Sequence, residues 1–211
     1  LAEAEAELGL PISTAQLDEM RDAINQPIDF VVAASYEKRM RHDVFAHLHT
    51  FADACPLSKP ILHLGATSAY VTDNTDLILM RDSLDLVAGR LAVVIEHLAE
   101  RAVENADTVC LGRTHLQPAQ PTTIGKRICL WIHDLLIDLD QILERRTALL
   151  ARGVKGTTGT QASFLELFDG DHAKVRRLDE LVAEKLGFPA SYAVSGQTYT
   201  RKIDSQVVFA L

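Results

Sequence analysis

The sequence predicts an all-α protein built from long antiparallel helices that pack as a bundle. Apolar residues recur every seven positions in two series, Leu77, Leu84, Leu91 and Leu98, and then Ile128, Leu135, Ile142 and Leu149. Met80, Val87 and Val94 fill the interleaved positions of the first series. Such heptad spacing is typical of a buried seam along a long helix. No stretch shows the alternation of apolar and polar residues that marks a half-buried strand, so we expect no sheet.

Shorter helices are predicted before the first seam. Residues 1–8 form a helical pattern that Gly9 and Pro11 close. A capping hydroxyl in "STAQLDEMRDAI" begins a second helix, which stops near Pro27. One helix or a pair of helices fills 29–54, until the two prolines of "ACPLSKP" break the pattern.

The segment "HLGATSAYVTDNT", at 63–75, is predicted to be a polar loop. Its last part contains Asp73 and Asn74, which suit the N-cap of the first long helix, predicted over about 74–105. The second long helix is predicted to begin at Pro121, because proline is favoured in a first turn, and to end near residue 152.

Two further polar loops separate the remaining helices. The Gly/Thr-rich "GVKGTTGTQASF" precedes a helix over about 169–186, and "GFPASYAVSGQTYTRK" leads into a last helix. We therefore predict a smaller helical N-terminal domain at 1–67, incomplete at its start, and the first part of a long-helix bundle at 68–211. Both ends fall inside helical patterns, so we expect a piece of a longer polypeptide.

Composition excludes several functional classes. The net charge of −8, without a lysine or arginine cluster, argues against nucleic acid as a partner. No apolar run approaches the roughly 20 residues of a membrane span, and no secretory signal is present. Three cysteines, Cys55, Cys110 and Cys129, lack metal-ligand spacing, which favours reduced thiols in a cytoplasmic protein.

Four loops gather hydroxyl, amide and imidazole groups at predicted helix ends: "RHDVFAH", "HLGATS", "GRTHLQPAQPTT" and "SGQTYTRK". Unpaired backbone N–H groups at helix N-termini make such places suited to anionic ligands. His115 is the strongest candidate for proton transfer, because Pro118 and Pro121 restrict the backbone that carries it. His42 and His63 could equally be ordinary surface or loop histidines. The loop at 153–160 resembles a phosphate cradle but lacks the Walker pattern.

The same motifs carry a family resemblance. The run "RHDVFAH…HLGATSAYVTDNTDL…GRTHLQPAQPTTIGKR…GVKGTTGTQASF…SGQTYTRK" resembles the adenylosuccinate lyases of the fumarase/aspartase superfamily. The resemblance implies that superfamily's helical bundle and cleavage of the C–N bond of adenylosuccinate to AMP and fumarate. It also implies cleavage of the succinyl-carboxamide ribotide (SAICAR) to AICAR and fumarate, in purine nucleotide biosynthesis. The resemblance implies no metal or organic cofactor. It also implies a homotetramer whose active sites are shared between subunits.

The resemblance also implies residue roles. His115 matches the histidine that donates a proton to the departing nitrogen. Substrate-binding roles fall to residues of the other motifs: Arg41, His42, Asp43, His63, Thr67, Ser68 and Gln197. His42 is expected near the phosphate, while Thr67 and Ser68 are expected at the succinyl carboxylate. Lys155 and Arg201 are further candidate cations.

One departure from the family pattern matters. The family's base is a serine in an "SSxMPxKxNP" motif, and these 211 residues do not contain that motif. We therefore expect this chain alone to be inactive. Two alternatives stay open: another fumarate-releasing lyase, such as argininosuccinate lyase or fumarase, and a non-catalytic helical assembly module.

Overall fold

The computed structural model describes all 211 residues, and most of them are helical. The elements in chain order are α1 (Ala2–Glu7), α2 (Thr14–Ala23), α3 (Phe30–Met40), α4 (Asp43–Ala54), a 3₁₀ turn (Lys59–Ile61), α5 (Ser68–Glu104), β1 (Val109–Thr114), β2 (Gln117–Thr123), α6 (Ile124–Ala148), α7 (Ala162–Leu167), α8 (His172–Lys185) and α9 (Lys202–Ala210). The predicted class, dominated by two long helices, is confirmed. For 29–54 the structure has the pair of helices rather than one.

The expectation of no sheet is wrong for residues 109–123. Strands β1 and β2 pair antiparallel from Val109 opposite Thr123 to Thr114 opposite Gln117. Most residues of both strands are exposed, so neither has the buried face that produces an alternating pattern. Pro121 lies opposite Leu111 in the ladder and does not begin α6. Instead, the Thr123 hydroxyl caps α6 by accepting the Lys126 N–H at 3.1 Å.

The chain divides into two compact units. The first contains Leu1–Ile78 and Leu150–Thr200, and the second contains Leu79–Leu149 and Arg201–Leu211. The boundary therefore falls inside α5. The predicted domains, 1–67 and 68–211, describe a larger family fold and stay a prediction.

The first unit has an apolar core beneath its short helices. Helix α8 packs against α1 and α7, and α3 packs against α4. The buried residues of the core come from α1, α7, α8 and the segments beside them: Ala4, Val154, Phe164, Phe168, Val175, Leu178 and Val182. Burial of apolar area of this kind is the main force that holds the surrounding loops in one arrangement.

The second unit joins the rest of α5 to the hairpin, α6 and α9. A side chain at Gly125 would collide with the Ala102 carbonyl oxygen, so glycine allows the start of α6 to approach the end of α5. The Gly125 N–H also donates to the Asn105 carbonyl at 2.9 Å. Further along, the Arg146 guanidinium binds both carboxylate oxygens of Asp85, at 2.8 and 3.0 Å.

The heptad series are buried only in part. Leu84, Ile128 and Ile142 are buried, as expected of a seam. Val87 and Val94, at interleaved positions, are exposed, so the interpretation of the whole seam as plain core is wrong there. Within this chain no element covers that side of the helix.

Candidate functional site

The "RHD" motif lies at the junction of α3 and α4. Arg41 ends α3 with φ of 56°, a left-handed conformation that is uncommon for a residue with a side chain. His42 is the N-cap of α4, and its Nδ1 accepts the Phe45 N–H at 3.3 Å. A ring nitrogen that accepts a hydrogen bond carries no proton, so the neutral ring presents Nε2 as a donor. Asp43 Oδ1 lies 3.4 Å from the same Nδ1.

Phe45 brings the first two motifs together. Its ring meets the His42 ring edge-on at 4.9 Å between centroids and the His63 ring edge-on at 6.1 Å. Tyr70 contributes a third ring, 6.5 Å from His63. His63 itself has φ of 62°. Two strained backbone positions, at Arg41 and His63, thus lie in the two motifs that this aromatic cluster joins, as is common at functional sites.

The His63 imidazole is poorly solvated. Its Nε2 is buried and has no hydrogen-bond partner. Burial lowers the pKa of His63, and the nearby His42 lowers that pKa further. His63 is therefore neutral at pH 7 and keeps one unused nitrogen for a ligand group.

Thr67 and Ser68 lie at the N-terminus of α5. Thr67 is buried, and Ser68 is the first residue of this 37-residue helix. The prediction that Asp73 and Asn74 cap the helix is wrong, because both lie inside its second turn and are buried. The loop before the helix is fixed at Gly65, whose carbonyl accepts the Ser163 hydroxyl at 2.6 Å.

Gln197 lies on an exposed loop whose backbone is held from beneath. Its carbonyl oxygen accepts the Arg152 guanidinium at 2.6 Å. Gly159, with φ of 79°, packs so closely that a side chain there would collide with the Ser195 carbonyl. The loop at 153–160, which resembled a phosphate cradle, therefore packs against the Gln197 loop.

Lys155 is not a free cation. Its ammonium donates to the carbonyls of Arg152 and Tyr192, at 3.2 and 3.1 Å, and lies 3.7 Å from Asp179. Burial lowers its pKa, and Asp179 opposes that shift. Arg201, the other candidate cation, lies in the second unit, 3.7 Å from Asp204.

His115 belongs to the second unit, at the tip of the β1–β2 hairpin. His115 and Leu116 have φ of 49° and 63°, and two successive positive values are the mark of a type I′ turn. Glycine or asparagine is usual in such turns, so this one is strained. Leu116 is 94% exposed, and His115 is also exposed.

The sequence interpretation missed several charged residues. Arg113, Lys126 and Arg127 line a cleft of about 760 Å³ between the hairpin and the start of α6. Arg152 is buried beneath the Gln197 loop, and the half-buried Asp179 lies 3.7 Å from Lys155. Arg113, Lys126 and Arg127 lie within the motif "GRTHLQPAQPTTIGKR" but were given no role there, whereas no quoted motif contains Arg152 or Asp179.

The predicted site residues therefore fall into two groups. The structure joins His42 to His63 within the first unit, which also contains Arg41, Asp43, Thr67, Ser68 and Gln197, and it assigns His115 to the second unit. No group of three or more histidine, cysteine or acidic side chains is arranged to hold a metal ion. No helix has the length and apolar character that crossing a membrane requires.

Comparison with solved structures supports the fold. A fumarate lyase from Mesorhizobium sp. BNC1 superposes with a TM-score of 0.84 at 23% identity, covering 99% of this chain and 47% of that one. A β-carboxy-cis,cis-muconate cycloisomerase from Acinetobacter calcoaceticus sp. ADP1 gives 0.79 at 24% identity, covering 99% and 48%. At these identities the likeness concerns the fold alone, and it confirms the predicted helical bundle.

Comparison of sequences is more specific. The adenylosuccinate lyase of Schistosoma mansoni is 50% identical over 212 residues, covering 100% of this chain. That of Saccharomyces cerevisiae is 52% identical over 213 residues, again covering 100%. The chain spans 44% of the length of each of these relatives.

A family model described as "Lyase" matches residues 10–204, nearly the whole chain. The resemblance drawn from the motifs is confirmed: this chain belongs to the lyase family, and it is similar to adenylosuccinate lyases over its full length.

Proposed function

We propose that this chain forms part of an enzyme that cleaves adenylosuccinate to AMP and fumarate, and SAICAR to AICAR and fumarate, by general acid/base β-elimination. The observation that carries the proposal is the identity of about half the residues with adenylosuccinate lyases over the full chain. The juxtaposition of His42 and His63 around Phe45 supports it, because two separate motifs then line one site.

The nucleotide phosphate is bound at the α3–α4 junction. Arg41 supplies a cation, and the capping bond of His42 leaves its Nε2–H free to donate to a phosphate oxygen. Asp43 lies beside the ring, with its Oδ1 3.4 Å from Nδ1, and completes the motif at this junction. His63, whose ring contacts the same Phe45 ring as His42 does, lines the same site.

The succinyl carboxylate is bound at the start of α5. Hydroxyls of Thr67 and Ser68 donate to it, together with the unpaired backbone N–H groups of the first helical turn. When a base removes the proton next to this carboxylate, negative charge spreads onto its oxygens. Fixed donors at that point stabilise the charge more than they stabilise the substrate. Gln197 adds an amide contact to the substrate.

His115 is the general acid. As the C–N bond breaks, its electron pair goes to the nitrogen, which takes a proton from the imidazole, while the carbon skeleton leaves as fumarate. Two paired strands hold the strained turn that carries His115. A fixed position matters because proton transfer requires hydrogen-bond distance.

The enzyme works in the cytoplasm as a homotetramer in which subunits share active sites. Large apolar side chains on the second unit support this assembly, since several are exposed: Leu86, Val93, Val103, Leu130, Trp131, Ile137 and Phe209. Exposed apolar surface along helices is typical of a subunit interface.

The test is fumarate release by the intact protein. We would supply adenylosuccinate, SAICAR, argininosuccinate and malate separately. Release from the first two alone is the expected result. Fumarate release from argininosuccinate or malate would contradict the substrate that we propose but not the elimination chemistry. No release from any of the four compounds would favour a non-catalytic assembly module.

His115→Gln separates catalysis from assembly. We expect kcat to fall by about 10²–10⁴-fold while the subunit number measured by light scattering is unchanged. His97→Gln is the matched control, because His97 is exposed on α5 and lies beside Glu100 only. Loss of assembly without loss of turnover per tetramer would contradict the assignment of His115.

A further inference from the structure

Arg152 is the most deeply buried cation of the first unit. It has no exposed surface, and its two guanidinium NH₂ groups donate to backbone carbonyls. The bonds to Lys155 and Gln197 are 3.0 and 2.6 Å long, and longer contacts reach Gly153 and Gly156, at 3.5 and 3.4 Å. Arg152 thus connects the loop at 153–160 to the backbone of Gln197.

A carboxylate completes this connection. Asp73, inside α5, lies 3.9 Å from Arg152 Nε and accepts the Tyr199 N–H at 2.9 Å. The backbone of the Gln197 loop is therefore held at the carbonyl of Gln197 by a cation and two residues later by an anion. Bonds to charged groups are about twice as strong as bonds between neutral ones.

The residues before Gln197 are also fixed. Gly159 packs against the carbonyls of Ser195 and Gly196, where no larger residue fits. The Gly196 N–H donates to the Thr198 carbonyl at 3.2 Å, which closes a tight turn around Gln197. Within 195–199 the backbone is held from below, while Gln197 itself is exposed.

We propose that Arg152 is a positioning residue for Gln197: its buried guanidinium binds the Gln197 carbonyl and so fixes the direction in which the exposed amide meets the substrate. The inference rests on the proposed function, in which Gln197 binds substrate. Arg152 is buried beneath the loop and touches no substrate, so its effect passes through Gln197. A displacement of about 1 Å in a substrate-binding group can lower the rate by up to about 10²-fold.

Lys155 provides a matched comparison. It is a second buried cation on the same loop, but its bonds reach Arg152, Tyr192 and Asp179 and not Gln197. A general requirement for buried cations under this loop would affect both residues alike. A positioning role predicts that only Arg152 is coupled to Gln197.

The test is a double-mutant cycle in the intact protein. Arg152→Lys keeps the charge but loses the forked geometry that reaches several carbonyls. We expect it to lower kcat/KM for adenylosuccinate about tenfold or more, mostly through KM. In a Gln197→Ala background the same change should lower kcat/KM less than about threefold, because the amide to be positioned is gone.

Lys155→Met, tested in the same two backgrounds, should have equal effects in both. Equal effects of Arg152→Lys in the two backgrounds would overturn the proposal. If Arg152→Lys does not fold, Asp73→Asn serves in its place, because it weakens the Tyr199 end of the same connection.

A second readout does not depend on activity. Hydrogen exchange of the amides at 195–199 should accelerate in Arg152→Lys and stay unchanged in Lys155→Met. Unchanged exchange in Arg152→Lys would overturn the positioning role even if the substrate assignment were wrong. Inactivity of the wild-type protein on adenylosuccinate would instead contradict the proposed function.

Discussion

Two kinds of buried polar group occur in the first unit, and they differ in their partners rather than in their depth. Arg152 and Glu5 both have no exposed surface. The two guanidinium NH₂ groups of Arg152 donate to carbonyl oxygens, and its Nε, which makes no hydrogen bond, lies 3.9 Å from Asp73. Neither carboxylate oxygen of Glu5 has a hydrogen-bond partner.

The difference decides which of the two keeps its charge. Burial lowers the pKa of Arg152, but Asp73 and Asp179 oppose the shift, and a guanidinium starts from so high a pKa that it stays charged. Burial raises the pKa of Glu5 to about 7. A buried charge with hydrogen-bond partners therefore holds the surrounding backbone in place. A buried carboxylate without partners instead makes the stability of the fold depend on pH.

Removing the partnered charge should have the largest effect. Arg152→Met keeps much of the side-chain volume but leaves several buried carbonyls without a donor and removes the cation beside Asp73. We expect the free energy of unfolding to fall by about 3–5 kcal/mol, as for other broken buried networks. Urea unfolding followed by circular dichroism measures this loss.

Arg146→Met is the matched control. Arg146 also pairs with an aspartate, Asp85, but both side chains are more than a third exposed. Its loss should cost no more than about 1 kcal/mol. Similar losses for the two arginines would mean that the network beneath the Gln197 loop contributes no more than a surface ion pair.

Removing the unpartnered carboxylate should instead change how stability depends on pH. Below pH 4.5 Glu5 is protonated in both states, and between pH 4.5 and about 7 it ionises only in the unfolded chain. Stability is therefore lost as pH rises through this window, by about 3 kcal/mol in total. Glu5→Gln should remove that loss. The free energy of unfolding of the variant, relative to that of the wild type, should therefore increase from pH 5 to pH 8.

Glu96→Gln is the control for this experiment, because Glu96 is exposed on α5. It should leave the pH dependence of unfolding unchanged. A wild-type protein whose stability does not decline between pH 5 and pH 8 relative to Glu5→Gln would show that Glu5 finds a partner in solution.

The sequence predicted the parts of the fold that repeat and missed those that do not. The leucine series gave the long helices, because a helix repeats its buried face at regular spacing. The hairpin at 109–123 has no buried face, and its turn at His115–Leu116 uses residues that turn statistics disfavour. Asp73 was predicted to be an N-cap because the sequence alone does not distinguish a capping aspartate from one buried inside a helix.

The site was predictable to the extent that it consists of motifs. Residue type at the predicted helix ends identified the loops that contain His42, His63 and Gln197, and the family resemblance supplied the roles of these residues. The spacing did not show that the Phe45 ring contacts both His42 and His63. It also did not show that Arg152 binds the backbone of Gln197. Such contacts are long-range, 45 residues apart for Arg152 and Gln197.

His63 gives the smallest expected effect and the sharpest contrast with Glu5. Its pKa is lowered, so as pH falls through about 6.5 the unfolded chain gains a proton that the native ring does not accept. Stability is thus lost as pH falls, opposite in sign to the effect of Glu5, so the two effects partly cancel where their pH windows overlap. His63→Gln should reduce the loss between pH 7.5 and pH 5.5, measured by urea unfolding, while His97→Gln should not. The ring is partly exposed, which is why the change should be smaller than that for Glu5. If the pH dependence of unfolding is the same in His63→Gln as in the wild type, the Nε2 of His63 is hydrated in the native protein. That result would remove the electrostatic argument for a ligand at this nitrogen.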